Sequence, residues 1–258
     1  MRTTIVIPAR YQSSRYPGKP LAVLRGPDGA KTLIQRSLEA AKAVPNIARV
    51  VVATDDARIA DHVQALGGEV VMTPTTCRNG TERCAAALDG LEGTDLVVNL
   101  QGDAPLTPPE FVTACIHAMH DRSVEVATPV LRCEASTLAM FRADRMAGRV
   151  GGTTAVFGPD GRALYFSKEV LPYVPDAYPT DAPVPVFHHV GLYAYRPDAL
   201  RRYAALPEGT LEKLEGLEQL RFLEHGMRVQ AVEVEPKGRV FWELNNPVDI
   251  ERIEGILS

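Results

Sequence analysis

The sequence predicts an α/β fold: a mostly parallel sheet with helices on both faces. Short apolar runs alternate with amphipathic stretches through the first half of the chain, and the runs read as buried strands. The strands fall at Thr3 to Ala9, Arg49 to Ala53, Glu69 to Met72 and Asp95 to Leu100. Helical periodicity lies between them at Thr32 to Val44, Asp56 to Leu66 and around Gly80 to Leu91. Sheets of this kind bind ligands at the carboxyl ends of their strands. The loops after Ala9, Thr54, Met72 and Leu100 are therefore where chemistry is expected.

The second half is less regular. Strands are expected at Thr153 to Phe157, Ala163 to Phe166, Val190 to Tyr195, Arg228 to Val234 and Arg239 to Leu244. Leu211 to His225 reads as one amphipathic helix, with Leu214, Leu217, Leu220 and Phe222 as its apolar positions. The Pro-rich stretch from Pro172 to Pro185 reads as a surface excursion. The expected organisation is one domain over 1–258: a first part over about 1–130, an inserted or appended part over about 131–225, and a return over 226–258.

Composition narrows the function classes. The 258 residues carry 28 Lys and Arg against 32 Asp and Glu, a net charge of -4. No basic stretch suggests nucleic acid as a partner. No apolar run approaches the roughly 20 residues of a membrane span. The chain enters Thr3-Thr4-Ile5-Val6-Ile7 without a charged leader and cleavage site. Cys77, Cys84, Cys115 and Cys133 form no Cys-x-x-Cys pair and have no His at zinc-site spacing. Four reduced thiols and a cytoplasmic location are expected.

Three segments could carry chemistry by residue type. The first loop, Pro8-Ala9-Arg10-Tyr11-Gln12-Ser13-Ser14-Arg15-Tyr16-Pro17-Gly18-Lys19-Pro20-Leu21, follows a buried strand and brings three cations, hydroxyls and a Pro-Gly turn. Its N–H groups and cations suit phosphate oxygens. It has neither the P-loop spacing nor the dinucleotide glycine fingerprint, which argues against a dehydrogenase. The second segment, Asn99-Leu100-Gln101-Gly102-Asp103-Ala104-Pro105, sets a carboxylate at a strand end, where a hard cation could share it with phosphates. The third, Asn79-Gly80-Thr81-Glu82-Arg83, reads as a helix start; capping alone also explains it.

In this order these segments resemble the KDO cytidylyltransferases, the CMP-KDO synthetases, where KDO is the eight-carbon sugar acid 3-deoxy-manno-octulosonate. The resemblance runs from Thr3 to about Leu257. It is most specific at Ile7-Pro8-Ala9-Arg10-Tyr11, Ser13 and Arg15 to Leu21. It continues at Ala53-Thr54-Asp55, Gly80 to Arg83, Gln101-Gly102-Asp103, Ala163 to Ser167, His189 to Tyr193 and Leu217 to Arg221. It implies a Rossmann-like fold of the nucleotide-diphospho-sugar transferase type, with a smaller acceptor-binding and dimerisation portion, and a homodimer. The implied reaction joins CMP from CTP to KDO and releases pyrophosphate, with Mg2+ as cofactor. By resemblance, Ala9, Arg10, Ser13, Arg15 and Lys19 hold the CTP phosphates. Asn79, Gly80, Arg83 and Gln101 lie near base and ribose. Asp103 binds magnesium and, with Arg10 and Lys19, forms the catalytic set. Lys168, His189, Tyr193, Glu218 and Gln219 line the acceptor pocket.

The chain departs from the family pattern at several points. Asn245 stands where a second metal-binding Asp is usual, and Glu243 or the triphosphate could compensate. Ala104 replaces a Glu, Lys168 an Arg, and His188 a basic residue; Gly152-Thr153-Thr154-Ala155 replaces Val-Lys-Val-Val. Lys lacks the bidentate fork of Arg, so the acceptor is held differently. The acceptor expectation is KDO. The 8-amino relative, another 2-keto-3-deoxy sugar acid or a phosphonate such as phosphonoformate are alternatives, as is a non-catalytic CTP-binding protein.

Overall fold

A computed structural model describes residues 1–12, 16–150, 152–175, 178–179, 182–238, 244, 247 and 249–257. The chain forms two compact units. The first comprises Met1–Thr113, Ala194–Ala204 and Pro236–Ser258, and the second Ala114–Tyr193 and Ala205–Glu235.

The first unit begins with β1 (Thr3–Ala9), the hairpin β2 (Val23–Gly26) and β3 (Gly29–Thr32), and α1 (Leu33–Lys42). It continues through β4 (Arg49–Thr54), α2 (Ala57–Ala65), β5 (Glu69–Met72), α3 (Gly80–Ala86) and β6 (Leu96–Leu100), and α4 (Pro109–Ala118) follows. The strands lie in the order β5-β4-β1-β6, and every pairing among them is parallel. Ile5, Val6 and Ile7 are consecutive and wholly buried, so both faces of β1 are covered. Burying each such aliphatic side chain contributes about 1.5–3 kcal/mol. The parallel register pairs Ala9 with Thr54 and Val6 with Asn99, which brings the carboxyl ends of β1, β4 and β6 to one edge. The strand-helix alternation of the sequence is thus reproduced. The β2–β3 hairpin was not anticipated.

Helix α1 starts where Thr32 caps it, its hydroxyl accepting from the Gln35 N–H at 3.3 Å. Its buried stripe of Leu33, Ile34, Ser37, Leu38 and Ala41 follows the helical period. Leu24 and Leu33 pack with Leu244 and with Ile253 of the C-terminal helix. Leu244 carries no regular element, and the rest of the expected strand Arg239 to Leu244 lies outside the described residues.

The second half of the chain carries β7 (Val126–Arg132), α5 (Ala135–Met146), β8 (Thr154–Phe157), β9 (Ala163–Ser167), β10 (Phe187–His189) and β11 (Leu192–Tyr195). After these come α6 (Pro197–Ala205), α7 (Thr210–Glu215), α8 (Leu220–Glu224), β12 (Val229–Val234) and α9 (Asp249–Leu257). In the second unit β12 runs parallel to β7, whereas β7-β10-β8-β9 is antiparallel throughout. Two expectations are corrected here. The strand foreseen over Val190 to Tyr195 starts later, at Leu192, and Phe187–His189 is a strand of its own. The helix foreseen over Leu211 to His225 is two helices, because Gly216 takes a left-handed φ of 62° and ends α7. Glu218 and Gln219 therefore sit in the turn before α8, not on a helix face.

Polar contacts lock that turn from three sides. Glu224 of α8 accepts from the Leu211 and Glu212 N–H groups at 2.8 and 2.9 Å. Glu212 and Arg221 form a bidentate pair, two bonds of 2.7 Å, with both side chains almost completely buried. Glu215 accepts from Ser167 Oγ at 2.6 Å and from the Lys168 N–H at 2.9 Å, which ties the end of α7 to β9. Among the described residues no helix is long and apolar enough to cross a membrane.

A buried ion pair is costly to break from one side only. Arg221→Met is expected to lower stability by about 3–5 kcal/mol in urea titration. Adding Glu212→Leu to that variant should recover most of the loss. If Arg221→Met cost less than about 1 kcal/mol, the pair would not hold the α7–α8 turn.

Candidate active site

The carboxyl edge of the first unit's sheet opens into a cleft of about 170 Å³. Pro8, Ala9 and Arg10 line it from the end of β1, and Lys19 and Pro20 from the following loop. Cys77 to Gly80 and Arg83 come from the start of α3, and Gln101 to Asp103 from the end of β6.

Local chemistry sets each group in place. Gly18 takes a φ of 73°, open to glycine at little cost, and its N–H donates to the Tyr11 carbonyl at 2.8 Å. This folds the loop back so that Lys19 Nζ reaches Asp103 Oδ2 at 2.7 Å and the Leu244 carbonyl at 3.0 Å. Gly102 is needed for close approach, since a Cβ there would stand 2.9 Å from the Pro8 carbonyl oxygen. The Gly102 carbonyl accepts from Ser37 Oγ of α1 at 3.0 Å. Asp103 is thereby fixed beside the first loop, as its place in the sequence suggested.

Asn79 caps α3, accepting from the Glu82 N–H at 2.8 Å, and its amide donates to Tyr203 OH at 3.0 Å. Arg83 is buried and pinned by Thr73 Oγ1 at 2.6 Å and Asp55 Oδ2 at 3.1 Å. Arg10 is exposed, donates to the Arg78 carbonyl at 3.4 Å, and has no acidic partner among the described residues. The cleft thus sets Arg10, Lys19, Arg78 and Arg83 around one lining carboxylate, Asp103. An excess of guanidinium and ammonium groups on one strand edge suits a polyphosphate.

Of the residues expected at the nucleotide, Ala9, Arg10, Lys19, Asn79, Gly80, Arg83, Gln101 and Asp103 all line this one cleft. Ser13, Arg15 and Asn245, as well as Glu243, lie outside the described residues. Sequence reasoning missed Cys77, Arg78 and Leu33. Arg78 stands next to Asn79 and could have been found by that adjacency; Leu33 carried no signal beyond helix packing. The structure also supplies the reason for the Asp55 motif, which the sequence left without a role.

A magnesium ion was expected at Asp103. Asp103 Oδ1 has no hydrogen-bond partner among the described residues, since Lys19 takes Oδ2. No group of three His, Cys, Asp or Glu could hold a metal among the described residues. A lining carboxylate with one oxygen left over fits a hard cation whose other ligands are phosphates and water.

The residues expected at the acceptor lie in the second unit. His189 is buried, and its ring packs on Phe166 and Tyr193 with centroids 4.9 and 5.6 Å away. Thr128 Oγ1 donates to the Leu192 carbonyl at 2.7 Å, so His189 Nε2, 2.9 Å away, must donate to Thr128. That assigns the Nε2–H tautomer from the network and leaves Nδ1 as an acceptor. Burial drives the His189 pKa down to about 3, with His188 adding to the fall. The ring is neutral near pH 7 and offers a hydrogen bond, not a charge. His188 faces the other way, against Phe141 at 5.3 Å, and burial lowers it to about 4. Lys168 Nζ lies 3.0 Å from the point a Cβ on Gly216 would occupy, beside the Glu218–Gln219 turn. Gln219 is buried, and its Nε2 has no partner among the described residues.

The sequence pattern of the family described as Cytidylyltransferase matches residues 4–229. This chain belongs to the cytidylyltransferase family. A 3-deoxy-manno-octulosonate cytidylyltransferase of Maricaulis maris is 45% identical over 260 residues, covering 100% of this chain and 98% of the relative. An 8-amino-3,8-dideoxy-manno-octulosonate cytidylyltransferase of a Shewanella species is 40% identical, covering 100% and 99%. The solved structure of a CMP:2-keto-3-deoxy-manno-octonic acid synthetase complexed with CTP superposes with a TM-score of 0.85 at 36% identity, covering 100% of this chain and 98% of that one. In this cytidylyltransferase the described residues expected at the nucleotide share one cleft at the carboxyl edge of the first unit's sheet.

The histidines make stability depend on pH. Their folded pKa values lie below the ordinary 6.5, so between about pH 3 and pH 6.5 the unfolded chain binds more protons. Stability should therefore fall as pH falls through that window. His189→Phe should flatten the slope of unfolding free energy between pH 7 and pH 5, measured by urea titration. An unchanged slope would mean that His189 is not buried as a neutral ring.

Proposed function

We propose that this chain transfers CMP from CTP to KDO, giving CMP-KDO and pyrophosphate. It does so with magnesium, in the cytoplasm and as a homodimer. The observation that carries this is the single cleft in which Arg10, Lys19, Asn79, Gly80, Arg83, Gln101 and Asp103 meet. The names of full-length relatives at 40–45% identity support the choice of acid.

In the reaction, an oxygen of the acceptor's anomeric hydroxyl bonds to the α-phosphorus. The bond from that phosphorus to the bridging oxygen breaks, pyrophosphate leaves with the electron pair, and the hydroxyl proton passes to solvent. Most of the work is positioning and charge neutralisation. Arg10 and Lys19 hold the phosphates and meet the charge that develops on the leaving group. Asp103 keeps Lys19 in place through Oδ2 and offers Oδ1 to magnesium. Asp103 and Asn245 would hold the magnesium ion, which would supply neutralisation of phosphate charge. Lys168, His189, Tyr193, Glu218 and Gln219 bind the acid. His189 contributes a neutral acceptor, so Lys168 is the cation among them.

A second reading has one specific support: the 8-amino-KDO enzymes of Shewanella match over the full length at 40% identity. Pyrophosphate release should be measured with CTP, magnesium and either KDO or 8-amino-KDO. Release with KDO at higher kcat/KM supports the first reading, and release with the 8-amino acid alone replaces it. Asp103→Ala should lower kcat roughly 10²–10³-fold while the fold is kept. Near-wild-type turnover in that variant would remove Asp103 from the catalytic set.

A further inference from the structure

The loop that follows β1 is closed at its neck, where the Gly18 N–H donates to the Tyr11 carbonyl at 2.8 Å. Arg10 is the residue before Tyr11 and Lys19 the residue after Gly18, so this bond stands between the two cations. Both cations line the cleft, whereas Tyr11 and Gly18 do not. Whatever fixes the neck therefore fixes the spacing of Arg10 and Lys19. Gly18 also sits against the Tyr11 ring: a Cβ there would stand 3.1 Å from Tyr11 Cζ and Oη. Glycine lets the ring and the turn meet.

The ring has a second contact. The guanidinium carbon of Arg58, on α2, stands 3.3 Å from the Tyr11 ring centroid, which sets a cation on the electron-rich face of the ring. Arg58 is exposed, yet it is held. Asp56 caps α2 by accepting from the Arg58 N–H at 3.0 Å, and the same carboxylate accepts from Arg58 Nε and Nη2 at 2.9 and 2.7 Å. A guanidinium gripped along one edge keeps its plane and meets an aromatic ring with its face. The Asp56 N–H donates to Thr54 Oγ1 at 3.3 Å, and Thr54 is paired with Ala9 at the end of β1. The path from Thr54 through Asp56 and Arg58 to Tyr11 thus braces the loop from the neighbouring strand. Helix capping explains the Asp56–Arg58 pair. It does not explain why the guanidinium lies on the ring of another segment.

We propose that Arg58 is a positioning residue for the phosphates of CTP: it acts through the Tyr11 ring to hold the neck of the loop, and so the spacing of Arg10 and Lys19. The inference rests on the CTP reading of the cleft. Without the brace the loop must be ordered when the nucleotide binds, and that cost is taken from the affinity.

The test is CTP binding by calorimetry with magnesium, on the full chain and on Arg58→Ala, Tyr11→Leu, the double variant and Tyr11→Phe. Melting temperatures are measured alongside. Arg58→Ala is expected to raise the Kd for CTP about two- to fivefold, the size of an exposed cation–π contact, with little change in melting temperature. Tyr11→Phe keeps the ring and should bind as the wild type does. The double variant should bind no more weakly than Tyr11→Leu, because both changes break one contact. An unchanged Kd in Arg58→Ala would overturn the proposal. So would losses that add in the double variant, which would give Arg58 a role independent of Tyr11. A wild-type chain that binds no CTP would instead overturn the CTP reading itself, a result that no variant can mimic.

Discussion

The ion pair between Lys19 and Asp103 is the contact around which the cleft of the first unit is arranged. At 2.7 Å it joins the loop after β1 to the end of β6, and the same ammonium reaches the Leu244 carbonyl. Both partners are partly exposed, so the pair adds little to stability. Its importance is spatial. It brings together three segments far apart in sequence and leaves Oδ1 of the carboxylate without a hydrogen-bond partner among the described residues. Gly102 and Ser37 make the pair possible: one permits the turn to approach Pro8, and the other anchors the turn to α1.

Charge is distributed unevenly around this pair, and the distribution fits the proposed chemistry. Arg83 and Arg78 have carboxylate partners in Asp55 and Glu82, which hold them as parts of the wall. Arg10 has none among the described residues, so it is the guanidinium best placed to meet an incoming phosphate. In the second unit the logic differs. His189 is kept neutral by burial, and the Glu218–Gln219 turn is held by an internal network of carboxylates and backbone donors.

Much of this was legible in the residues. Buried runs such as Thr3 to Ala9 named the strands, and the parallel fold then dictated that Arg10 and Asp103 meet at one edge. What escaped was whatever depended on a single backbone angle or on a distant partner. Gly216 split a helix whose apolar spacing looks continuous, because its left-handed conformation leaves no trace in the periodicity. The β2–β3 hairpin has only four residues on each strand, and Val23 to Thr32 is too polar to stand out. Arg78 drew no notice because one cation in a loop is usually solvated. The seat of Arg58 on the Tyr11 ring could not be inferred at all, since a contact between distant segments is a property of the folded chain.

In the proposed reaction the cleft directs attack at the α-phosphorus of CTP. The direct measurement is a single turnover with magnesium and KDO, run in parallel with CTP labelled at the α- and at the γ-phosphate. The α-label is expected to enter the sugar-acid product and the γ-label to leave as pyrophosphate. Appearance of the γ-label in the acid, or release of inorganic phosphate without α-label transfer, would contradict it.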